Sequence, residues 1–216
     1  KDIDEWKIFV SGGVNQKAGL SNCTRIVEHK KAKGQDLVLY VKLPKDEHES
    51  VLVNEIMTMN SITNMPHQMG PEIFHSDPAV PVLVTYSASV FPGSKILSLT
   101  GLSKISESDK MGLITDLMKT IFRLHEFGWV HRDLKPANIS FTSGWGADPD
   151  PDQIYSTVTL IDFGSAMRTN KLQKVTHKTE WWSHASQENH KDRAHPGQDW
   201  FSVGRLVTLL LLGLDD

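Results

Sequence analysis

The feature that most constrains this chain is a change in the period of its apolar residues at Pro92-Gly93. Before that point they alternate as in strands. After it they recur every three or four residues as in helices. Cys23 to Glu28, Leu37 to Leu43 and Lys7 to Val10 are short β-rich runs separated by Gly, Asn and Lys turns. Ser11 to Gly19 is a polar, glycine-bearing loop between two of them. Glu47 to Ser61 is expected to be a helix, with Val51, Ile56, Met59 and Ile62 near helical spacing, and Val80 to Tyr86 a further strand. Beyond Gly93, Asp109 to Phe127 puts Met111, Ile114, Leu117, Met118, Ile121, Phe122 and His125 on one face, with Ser108 as N-cap and Gly128 as the stop. A strand-loop-strand unit is expected over His131 to Phe141 and Thr157 to Phe163, and a final helix over Asp199 to Leu214. The expected fold class is therefore α+β, with a β-rich first lobe (about 1–86), a joint (about 87–93) and a helical second lobe (about 94–216).

Composition removes several function classes. Twenty-three Lys and Arg against 26 Asp and Glu give −3, so bulk charge offers no footprint for nucleic acid or an anionic membrane. One cysteine, Cys23, excludes an internal disulfide and a four-cysteine zinc site, and fits a reducing compartment. The best apolar run, Leu206 to Leu214, falls short of the ~18 residues that span a bilayer and is expected to be a buried helix. The alternating acids Asp148, Asp150 and Asp152 lack the glycine and glutamate of a calcium loop, since Thr159 stands at the twelfth position. His177, His184, His190 and His195 match no helical ligand pair. Trp181-Trp182 is favoured as packing rather than as a surface that faces substrate.

The polar residues that carry chemistry are concentrated in two runs. His131-Arg132-Asp133-Leu134-Lys135-Pro136-Ala137-Asn138 is followed by Ile161-Asp162-Phe163-Gly164. In that order the two runs closely resemble the protein-kinase superfamily, with its H-R-D-L-K-P-x-N loop and D-F-G segment. The resemblance implies a two-lobed fold with a shortened helical C-lobe, and phosphoryl transfer from ATP with Mg²⁺. Such transfer needs neutralised phosphate charge and an oriented nucleophile more than covalent chemistry. Asp133 would then orient the substrate hydroxyl, Lys135 would sit beside the transferred group, and Asn138 and Asp162 would hold Mg²⁺. Val41-Lys42-Leu43 fits the strand lysine of V-A-I-K. Glu55 is its expected partner, because apolar neighbours bury that helix face, whereas Glu47 and Glu49 fall in an exposed first turn.

The glycine-rich loop departs from the pattern. Counted back from Lys42, its register falls on Gly19, Ser21 and Thr24, so only the first glycine is kept. An alternative register on Gly12-Gly13 would leave a longer hairpin. Ala185-Ser186-Gln187-Glu188 resembles A-P-E, and Asp199-Trp200-Phe201-Ser202-Val203-Gly204 resembles the start of the central lower-lobe helix. There the aspartate would support the catalytic loop from below. Thr176 and Thr179 resemble activation-loop hydroxyls, to which Arg132 would pair if they were phosphorylated.

Lys135-Pro136 resembles serine/threonine rather than tyrosine kinases, and the Arg132 to Pro136 run with the A-P-E-like segment, which small-molecule phosphotransferases of related fold usually lack, implies a protein substrate. The short length, the reduced glycine loop and the ending near Asp216 resemble the Hop-type minimal effector kinases that bacteria deliver into host cytosol and that act on heat-shock protein 90. On that reading the chain would be a monomer, and Glu188 would be braced by Arg193 or Lys191. Two alternatives stay open: a pseudokinase binding module, and a fragment of a longer eukaryotic kinase.

Overall fold

The computed structural model describes residues 22–30, 36–44, 49–64, 69–86, 94–96, 105–142, 158–171, 182–184 and 193–214. Outside them lie the expected strand Lys7 to Val10, the loop with Gly19 and Ser21, and Glu47. So do the joint near 87–93, the acidic insertion, Thr176, Thr179, Trp181, Lys191 and the Ala185 to Glu188 element.

Strands β1 (Asn22–Lys30) and β2 (Asp36–Pro44) pair antiparallel with Thr24 opposite Lys42. Helix α1 (Glu49–Thr63) follows, then β3 (Ile73–Asp77) and β4 (Val82–Tyr86). These strands make one sheet in the order β1-β2-β4-β3, with Lys42 opposite Leu83. Strand β3 was not expected from the sequence, and the Val80 strand begins two residues later, at Val82. Burial along β3 does not alternate from residue to residue, and its register shifts between Ile73 and His75, so it leaves no period-two signal.

After β5 (Ser94–Ile96), helix α2 runs over Glu107–Glu126. It starts two residues earlier than expected, because Ser106 rather than Ser108 is the N-cap and its Oγ accepts from Asp109 N. Gly128 ends the helix with φ +76, a left-handed turn suited to glycine. Its buried face is Leu113, Ile114, Leu117, Ile121 and Leu124, joined by Lys110, Asp116 and Thr120. Met111, Met118 and Phe122, expected on the core face, are exposed. Apolar residues span about half of this helix's circumference, so periodicity alone gave two overlapping stripes, and packing against the rest of the lobe selected one.

Strand β6 (Trp129–Val130) leads into the loop that carries His131 to Lys135, a 3₁₀ turn at Pro136–Asn138, and β7 (Ile139–Thr142). Strand β8 (Val158–Leu160), a second 3₁₀ turn at Phe163–Ser165 and β9 (Met167–Arg168) come next. Strand β7 lies between β5 and β8, while β6 pairs with β9. The chain therefore crosses from β6 to β9 and brackets both polar runs between short ladders. Helix α3 spans Pro196–Leu212, three residues earlier than expected at its start. His195 caps it with Nδ1 accepting from Gly197 N, Gln198 closes the capping box, and Gly213 ends it in the left-handed conformation. Leu206 and Leu210 are buried, whereas Leu211, Leu212 and Leu214 are exposed, so the apolar run is buried on one side only.

One apolar core joins both parts of the molecule. Leu52, Ile56, Met59 and Ile62 of α1 belong to the same buried cluster as Leu117 and Ile121 of α2, Leu160 of β8, Leu206 of α3 and Phe163, which is fully buried. Leu160 N donates to Met69 O at 2.9 Å, tying the segment after α1 to β8 by backbone. Burial of a side chain like Phe163 contributes roughly 1.5–3 kcal/mol, so the residue after Asp162 is held by packing. No helix among the described residues is long and apolar enough to cross a membrane.

Candidate active site

Lys42 leaves the sheet toward α1, and its Nζ lies 2.7 Å from Glu55 Oε1 and 3.6 Å from Asp162 Oδ1. Glu55 is buried because Val51, Leu52, Ile56 and Met59 surround its face of the helix. Glu49, at the start of the helix, is exposed. Burial alone would lower the Lys42 ammonium, but Glu55 and Asp162 outweigh it and hold the amine above the ordinary lysine range. Burial pushes the Glu55 carboxyl up, and Lys42 pulls it back. Lys42 also draws the Asp162 carboxyl below the usual carboxylate range, against the effect of its burial. The lysine is thus a fixed cation shared between two carboxylates.

Asp162 has φ 65 and ψ 69, a left-handed conformation unusual for a residue with a side chain. The packing of Phe163 holds it there. The ring of Phe163 lies 4.9 Å from that of His131, and His131 Nε2 donates to Ile161 O at 3.1 Å. A carbonyl only accepts, so His131 carries its proton on Nε2 and offers Nδ1 to Asp133 N at 3.4 Å. The two polar runs are joined through this ring.

On the opposite side of the site, Asp133 Oδ2 accepts from Lys135 Nζ at 2.8 Å and from Asn138 Nδ2 at 3.1 Å. Asn138 Nδ2 also donates to Asp133 O at 2.8 Å, which turns its Oδ1 the other way. This reach is possible because the 3₁₀ turn at Pro136–Asn138 folds residue 138 back onto residue 133. Below the loop, Asp199 is fully buried at the start of α3. Its Oδ1 accepts from Arg132 N and its Oδ2 from His131 N and His125 Nε2, each at 2.8 Å. Arg132 has φ 70, so the clamp holds a strained backbone in place. The Arg132 guanidinium is buried and directs Nη1 at Met167 Sδ.

The structure thus brings Lys42, Glu55 and Asp162 together on one side and Asp133, Lys135 and Asn138 on the other. Thr24 is placed only as the backbone partner of Lys42, and Gly19 and Ser21 lie outside the described residues. Trp182 is buried against Leu117, Leu134, Val203 and Leu206, and Ser202 Oγ donates to its carbonyl. Sequence reasoning passed over Asn54, whose carboxamide reaches the Asp162 turn. Its signal was a polar residue three positions after Val51, at the edge of the buried face of α1.

A core of this kind, two carboxylates on a strand lysine above a braced H-R-D loop, defines a class. The model of the protein kinase domain matches residues 45–215, and the chain belongs to that family. The match begins just after Lys42, so the pairing of that residue rests on the distances above. Calcium-dependent protein kinase 27 of Arabidopsis thaliana is 27% identical over 169 residues, covering 76% of this chain and 33% of that protein. Serine/threonine-protein kinase PEPKR2 of the same plant is 30% identical over 122 residues, covering 56% and 24% respectively. Calcium/calmodulin-dependent protein kinase type IV of Homo sapiens is 31% identical over 113 residues, covering 51% and 22%. The chain therefore spans about a third or less of the length of these relatives.

Proposed function

We propose that the chain is a serine/threonine protein kinase domain that uses ATP with Mg²⁺. The observation that carries the proposal is Lys42 held between Glu55 and Asp162, because a shared cation at this point is what a phosphate chain requires. The residues fit the nucleotide and its metal. Asp162 and the Asn138 carboxamide offer the oxygen donors that Mg²⁺ prefers, and at 3.6 Å the Asp162 carboxylate is not consumed by a direct bond to Lys42. Magnesium-bound ATP supplies the phosphoryl group and part of the charge that steadies it. Lys42 orients the phosphates, and Glu55 fixes the lysine. Asp133, steadied by Lys135 and Asn138, would take the proton of the substrate hydroxyl as its oxygen bonds to the γ-phosphorus and the bond from that phosphorus to ADP breaks, and Lys135 would balance charge on the group in transfer.

Lys135 after Asp133 and the named relatives support serine or threonine as acceptor. As first candidate substrate we propose a folded host protein, heat-shock protein 90, on the resemblance of the reduced glycine loop at Gly19, Ser21 and Thr24 to that of minimal effector kinases; action in a host cytosol follows from the same proposal. One experiment tests both levels. ATP and Mg²⁺ together should raise the melting temperature, and labelled phosphate should move to serine or threonine. Asp162→Ala should abolish both effects. A melting shift without transfer would leave a pseudokinase, and equal rates on the chaperone and on a mixture of basic proteins would remove the chaperone while keeping the kinase.

A further inference from the structure

Asn54 stands one residue before Glu55 on α1 and belongs to no motif. Its Nδ2 donates to Gly164 O at 2.9 Å and to Ala166 O at 3.0 Å, across 110 and 112 positions of sequence. One carboxamide nitrogen therefore spends both hydrogens on the turn that carries Asp162. Gly164 and Ala166 are buried, so water is poorly placed to replace these bonds. A second contact seats the same helix on the same turn: a Cβ at Gly164 would fall 2.8 Å from Val51 Cγ1. Val51 and Asn54 are three residues apart and lie on one face of α1.

We propose that Asn54 is a positioning residue that locks α1 in register with the Asp162 turn, so that the Lys42–Glu55 pair and the Asp162 carboxylate move as one body. An aspartate at this position keeps the shape but supplies no donor, and it would set a carboxylate against two carbonyl oxygens. Glutamine keeps both donors on a stem one methylene longer. Asn60, on the same helix, is a natural comparison, because its Oδ1 accepts from Ser76 Oγ at 3.2 Å and so ties α1 to β3 instead.

The proposal rests on the kinase reading only for its kinetic arm. Amide hydrogen exchange of the full chain without nucleotide should show residues 163–168 exchanging roughly 10-fold or more faster in Asn54→Ala and Asn54→Asp. Asn54→Gln should recover most of the protection, and Asn60→Ala should leave this segment at the parent rate. In turnover, Asn54→Ala should lower kcat by about 10-fold with the KM for protein substrate unchanged. Parent exchange rates at 163–168 in both donorless variants would overturn the proposal, as would equal acceleration by Asn60→Ala. Absence of turnover in the parent would defeat the kinase reading and leave the exchange comparison to decide on Asn54. If Asn54→Ala fails to fold, the contrast between Asn54→Asp and Asn54→Gln carries the same test.

Discussion

Asp199→Asn isolates the support beneath the H-R-D loop while keeping the shape of the side chain. In the parent, two carboxylate oxygens accept three hydrogen bonds, two of them from the consecutive backbone N–H groups of His131 and Arg132. An asparagine has one acceptor oxygen, so whichever way its amide turns, at least one of those buried N–H groups faces a second donor. Leaving such a group unsatisfied costs roughly 1–3 kcal/mol, and each charge-assisted bond was worth about 1.5–3 kcal/mol. The expected loss is therefore about 3 kcal/mol, a large part of the ~5–15 kcal/mol that holds a domain folded. In a chain of this size that corresponds to a fall in Tm of roughly 6–12 °C. Because Arg132 loses the anchor that keeps its φ at 70, its amide and that of His131 should also lose protection before the rest of the loop does. Calorimetry and amide exchange on the purified chain read the two effects separately. A variant within about 2 °C of the parent, with both amides still protected, would refute the reasoning that Asp199 holds the loop.

Gly70→Ala should destabilise by about 1–3 kcal/mol in urea unfolding, because its Cβ would sit 3.0 Å from Cε2 of the buried Phe163 and 3.3 Å from Met59 Sδ. The cost should exceed that of Gly204→Ala on α3, where a Cβ would meet nothing within 4 Å. Asp162 has a folded pKa below its unfolded one, so its contribution is present above about pH 4 and is lost as pH falls through the depressed folded value. Asp162→Asn should therefore flatten the acid limb of a Tm-against-pH curve below pH ~4, and an unchanged limb would remove the pairing with Lys42.

The parts of the site visible in the sequence were those whose chemistry needs fixed residue types at fixed spacings. Asn138 must lie a short way after Asp133 to fold back onto it, and Asp162 must precede an apolar residue that can be buried. Glu55 was legible because a charge amid Val51, Ile56 and Met59 has to face a partner. Asn54 was hidden because its partners are backbone carbonyls, which carry no sequence signature. The capping serine of α2 was ambiguous for a local reason: Ser106 and Ser108 both stand at the boundary, their hydroxyls 3.1 Å apart, and only the backbone geometry decides between them. The face of α2 and the existence of β3 depended on what packs against them, which periodicity within one segment does not contain.

The clamp at Asp199 also imposes an order on the making of this protein. Arg132 N is anchored by a carboxylate 67 residues further along the chain. Synthesis at ~5–20 residues per second separates the two by roughly 3–13 s. During that interval the nascent chain holds every residue of the H-R-D loop but not the carboxylate that accepts from the backbone of His131 and Arg132. The loop reaches its working form only when the start of α3 has been made and folded back beneath it. Completion of the site is therefore a late event in the life of each molecule, and a ribosome that pauses between Asn170 and Asp199 delays it without touching Lys42, Glu55, Asp133 or Asp162.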